Sequence, residues 1–138
     1  MPLLTKEQII NFDDGVFDIH FEDVPEWTTE GKETAQVGIL SFNGNERERF
    51  DRWLAEKSDV DVKTSKVKTL PPNVKEEILV RTLCDSNRTL LFARADVKSL
   101  GEKHHAVIDR LAQRAQEING YGDAAIENAE ENSEDVQN

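Results

Sequence analysis

Apolar residues fall along this 138-residue chain in blocks whose spacing changes from one block to the next. Leu4 and Ile9 occupy the staple positions around Thr5-Lys6-Glu7-Gln8, a capping-box sequence that predicts a short opening helix. Asp13-Asp14-Gly15 breaks it. Phe17, Ile19 and Phe21 then alternate with Asp18, His20 and Glu22, a period of two that predicts a strand with its apolar face buried. A second strand is expected over 34–42, with Val37 and Ile39 on one face and Leu40 and Phe42 on the other, so that its end is covered on both sides. Pro25 and Gly31 place turn chemistry between them, and residues 16–42 read as a β-hairpin.

Helical spacing follows. Asn43 with Glu46 three residues on, and Phe50, Trp53 and Leu54 at i, i+3 and i+4, predict a helix over about 45–57. Residues 58–68 read as a loop, stopped by Pro71-Pro72. Asn73-Val74-Lys75-Glu76 repeats the cap pattern, and Val74, Ile78, Leu79 and Leu83 give a broad stripe that predicts a central helix over about 74–84. A turn over 85–88 leads into Leu90-Leu91-Phe92, expected to re-enter the interior, and Asp96 starts a short helical turn. The last helix is expected over about 102–118. Val107, Ile108, Leu111, Ala115 and Ile118 share its apolar face, and Asn119-Gly120 supplies a left-handed stop. Residues 121–138 contain no Lys or Arg and carry six of the acids behind the net charge of −11; they read as an acidic tail, a weak helix and then disorder. The expected fold class is therefore α+β: one domain over 1–120, mainly helical, with an N-terminal β-hairpin and a flexible acidic C-terminal tail.

The acidity argues against direct nucleic-acid binding, which needs Lys and Arg to displace counterions from phosphates. The lone Cys84 has no disulfide partner and no apolar run reaches the length of a membrane span, so a cytoplasmic protein without a membrane role is expected. No catalytic set emerges, and no cofactor is called for. His104-His105 are adjacent and point about 100° apart on a helix, unsuited to one metal ion, so no metal site is expected. Cys84 lies in the apolar register of its helix and reads as a small buried hydrophobe. Trp27, in the hairpin loop, is either folded over the sheet or presented to a partner, with burial the favoured reading. Trp27, Tyr121 and Ile126 are the candidate partner-binding residues.

In order and spacing, several segments carry a resemblance: Val24-Pro25-Glu26-Trp27, the stretch from Ser41 to Phe50, Asn73 leading into its Leu-rich helix, Ala95-Asp96-Val97, Leu100-Gly101-Glu102-Lys103, Ile108-Asp109-Arg110-Leu111 and Ile118-Asn119-Gly120. Over roughly residues 3–130 the chain resembles the tail assembly chaperones of long-tailed, non-contractile bacteriophages. The resemblance implies a non-structural protein of the host cytoplasm, absent from the mature virion, that keeps the tape measure protein soluble while the tail tube assembles around it. It also implies a longer form, made by ribosomal frameshifting, that recruits the tail tube protein; self-association is left open. Thr28-Thr29-Glu30-Gly31 departs from the compact Gly-Gly turn of that pattern. Two other readings compete: an acidic mimic that occupies a host nucleic-acid-binding protein, and a structural tail or adaptor protein.

Overall fold

A computed structural model of the chain describes residues 2–14, 19–60 and 67–121. The described elements run α1 (Lys6–Asn11), β1 (Ile19–Asp23), a 3-10 turn (Pro25–Trp27), β2 (Gln36–Leu40), α2 (Gly44–Lys57), β3 (Asp59–Val60), β4 (Val67–Thr69), α3 (Val74–Val80), β5 (Leu83–Cys84), a second 3-10 turn (Arg94–Asp96), α4 (Val97–Gly101) and α5 (His105–Ile118). The fold is α+β, with an antiparallel sheet ordered β1-β2-β5 and a separate antiparallel pair β3-β4.

Local chemistry places several boundaries. Both capping boxes form: Thr5 Oγ1 accepts from the Gln8 amide while the Gln8 side chain accepts from the Thr5 amide, and Asn43 and Glu46 do the same at α2. Each satisfies two amides that the first helical turn leaves without partners. Gly120, at φ +79°, supplies the left-handed step after α5.

One face of the sheet packs on the helices. Ile39 and Val24 join Phe50 of α2, Ile78 and Leu79 of α3, and Leu111 of α5 in one cluster, with α3 lying along α5. Phe50 is the largest fully buried side chain; it meets Trp53 with ring centroids 5.9 Å apart and Tyr121 edge-on at 5.8 Å. Leu40 and Cys84 are also buried but stand outside this cluster, as expected from the alternation that sends Ile39 and Leu40 to opposite faces.

Several expectations are corrected. The predicted helix over 74–84 ends at Val80; Leu83 and Cys84 form β5, pairing with Ile39 and Gly38. An apolar run at that density suits a buried helix or a buried strand, and β2 needed a partner along its free edge. Gly38 makes the approach feasible, since a Cβ there would stand 2.8 Å from the Cys84 carbonyl oxygen. Asn73 makes no side-chain cap; it takes φ +62°, the left-handed region Asn tolerates. The face of β1 is reversed. Its register pairs His20 with Ile39 and Glu22 with Val37, toward α5, and leaves Phe21 57% exposed opposite Gly38. Glu22 tolerates the inward face because Arg114 of α5 meets it at 2.6 Å. Phe17 lies outside the described residues. The expected loop over 58–68 contains β3 and β4, and α5 begins at His105 instead of 102. Leu90 and Leu91 stay largely exposed and only Phe92 is half-buried.

Candidate functional site

The described surface carries eight large apolar side chains open to water: Leu3, Leu4, Ile9, Ile10 and Phe12 around α1, Phe21 on β1, and Leu90 and Leu91 after β5. Their exposures run from 41% to 92%. Helix α1 buries none of its residues. A six-residue helix gains little from propensity alone. The opening helix was legible in its capping box; that none of its residues is buried was not.

A cavity of about 290 Å³ lies beside the hairpin loop, lined by Trp27, Phe92, Ser99, Leu100 and Lys103. The 3-10 turn that begins at Pro25 sets Trp27 there, half-buried against the core, so its ring both packs and forms one wall. The loop is clamped to α5 by a bidentate pair, with Arg110 Nη1 and Nη2 donating to the Glu26 carboxylate at 2.7 and 2.8 Å. Those hydrogen bonds favour the charged carboxylate and hold Glu26 at about 2, below its ordinary 4.5. Arg114 extends the clamp, donating to Glu22 and, at 3.4 Å, to Glu117. Arg110 and Arg114 of α5 therefore fasten the hairpin to that helix.

Tyr121 is committed to the body. Its hydroxyl donates to Asp51 at 2.5 Å, the Arg47 guanidinium lies 4.3 Å above its ring, and burial followed by the Asp51 bond pushes its pKa upward. It is thus an anchor on α2. Ile126 lies outside the described residues, as does the expected weak helix and disorder of the acidic tail. The structure does not bring Trp27 and Tyr121 together: one faces the α4 side, the other α2.

The residues that invite chemistry have structural tasks. His104 Nδ1 accepts from the Ala106 amide and so caps α5, and its ring stacks on His105 at 4.7 Å. Cys84 is buried, and loss of water followed by the nearby Asp85 charge raises its thiol pKa, opposite to what a nucleophile needs. Glu77, only 4% exposed, accepts from Arg81 Nε at 2.9 Å and Arg94 Nε at 3.2 Å. Among the described residues, no three His, Cys, Asp or Glu side chains gather as metal ligands, and no helix is long and apolar enough to cross a membrane.

Comparison of the chain with models of known protein families, with curated protein sequences and with solved structures finds no match in any of the three.

Proposed function

We propose that this protein is a tail assembly chaperone, a binding protein and not an enzyme, which holds a phage tape measure protein soluble in the host cytoplasm while the tail tube assembles. The observation that carries the reading is the large apolar side chains left in water on and around α1. A tape measure protein offers long amphipathic helices, and laying one along α1 would bury apolar surface on both partners. Each such side chain taken fully out of water contributes about 1.5–3 kcal/mol, from which the cost of association is then subtracted. The net charge of −11 keeps such a complex dispersed. A longer frameshifted form that recruits the tail tube protein belongs to the same reading, as does absence from the mature virion.

Co-expression tests it. The intact protein should raise the soluble yield of a tape measure protein and co-purify with it. The triple variant I9S/I10S/F12S should lose that complex while keeping its melting temperature, because all three side chains are exposed. An insoluble client with the intact protein, or undiminished capture by the triple variant, overturns the reading.

A further inference from the structure

One edge of the sheet is open. The strand order β1-β2-β5 puts β1 at the rim, and among the described residues it pairs with no strand but β2. The Val24 amide donates to the Ala35 carbonyl at 2.7 Å and the Leu40 amide to the Thr82 carbonyl at 2.8 Å, which fixes the alternation of the ladder. His20 and Glu22 therefore turn their backbone groups to β2, while Ile19, Phe21 and Asp23 turn theirs outward. Among the described residues, no turn or side chain bonds those outward groups. The register runs without a bulge from Ile19 to Asp23, and neither Pro nor Lys guards the strand. Phe21, at its middle, is 57% exposed, and its neighbour on β2 is Gly38, which has no side chain to cover the ring.

A helical client cannot use such an edge, because its backbone groups are already bonded along each helix. An added strand can. The strand whose sequence fits is β1 itself. Turned antiparallel about a two-fold axis at Phe21, it faces Phe21 with Phe21, Ile19 with Asp23 and His20 with Glu22, so the whole strand pairs and no acid meets an acid. A register centred on Glu22 would set two carboxylates face to face, and one centred on His20 would carry Glu22 and Asp23 past the end of the strand. The Phe21 register also meets the outward groups, each Phe21 amide donating to the Phe21 carbonyl of the other copy. Both rings then lie on the outer face of the sheet, with Cβ atoms about 5.5 Å apart. On the inner face Glu22 already has Arg114 at 2.6 Å to offset its charge. We propose that two copies of this chain pair antiparallel through β1, joining their sheets into one across Phe21. The pairing uses no residue of α1 and stands or falls independently of the chaperone reading.

One strand pair buries little area, so the dimer is weak and concentration-dependent, and screening the net charge of −11 on each chain tightens it. In about 500 mM NaCl, equilibrium sedimentation of the intact chain should show the average mass rising by about half or more between about 10 µM and about 1 mM. Over the same range the Phe21 and Asp23 amides should exchange with solvent about twofold or more slowly, while those of His20 and Glu22, already bonded to β2, change less. I9S/I10S/F12S should pair like the parent. F21K sets two ammonium groups opposite each other and should stay single at the highest concentration with its melting temperature unchanged, since the ring it removes is exposed. A constant single-chain mass overturns the proposal, as does a dimer that survives F21K. A dimer lost in the triple variant overturns it too, by placing the contact on α1. So do Phe21 and Asp23 amides protected equally at every concentration, which would mean that the edge is filled within its own chain. Should F21K fail to fold, the exchange pattern of the intact chain decides alone.

Discussion

Replacing Asn119 by Ala tests how the end of α5 is tied to the sheet. Asn119 is 6% exposed, and its Oδ1 accepts from the Phe42 amide at 2.6 Å. Its Nδ2 donates to the Ala115 carbonyl at 2.9 Å and the Leu40 carbonyl at 3.3 Å, and its own carbonyl accepts from Arg47 at 2.6 Å. The helix end, the exit of β2 and the start of α2 therefore meet at one amide. Truncation leaves Ala115 with a partner, since its carbonyl also accepts from the Asn119 amide. It strips the Phe42 N–H and weakens the satisfaction of Leu40. A buried polar group left unpaired costs about 1–3 kcal/mol, so N119A should lose about 2–4 kcal/mol in all. In urea the unfolding midpoint falls with the slope unchanged, and the melting temperature drops by about 6–15 °C for a chain of this size. A loss below about 1 kcal/mol would show that water replaces the side chain and refute the tie.

Other expected outcomes are more local. G38A should destabilise by about 1–3 kcal/mol in thermal melts, because its methyl would press on the Cys84 carbonyl and part β2 from β5. F50A, which empties the centre of the core, should cost about 3–5 kcal/mol in the same assay. Glu26 has its pKa depressed from 4.5 to about 2, so the stability it contributes is present above about 4.5 and is lost as pH falls toward 2. R110Q should flatten that limb of the stability–pH curve and meet the parent at the acid end; parallel curves would exclude the pair as its source. Cys84 should resist a thiol reagent at pH 8 in the native protein and react as one equivalent after unfolding in urea.

Where an element was set by neighbours in sequence, it was legible there. The capping boxes at Thr5 and Asn43, the 3.6-residue stripe of α5 and the Asn119-Gly120 stop are local devices, so their geometry follows from adjacent residues. The antiparallel hairpin and the burial of both Ile39 and Leu40 were equally readable from alternation. Long-range decisions were not. Leu83 and Cys84 become a strand only because β2 offers an edge and Gly38 lets their backbone come close. Glu22 faces inward only because Arg114 waits on α5, across a separation no local pattern records. The same holds for the candidate surface, which depends on which apolar side chains the core leaves uncovered. Sequence alone determined the capping boxes at Thr5 and Asn43, the charge and the division into apolar blocks; the tertiary structure decided which face of each block is buried, because burial depends on what the rest of the chain brings to that face.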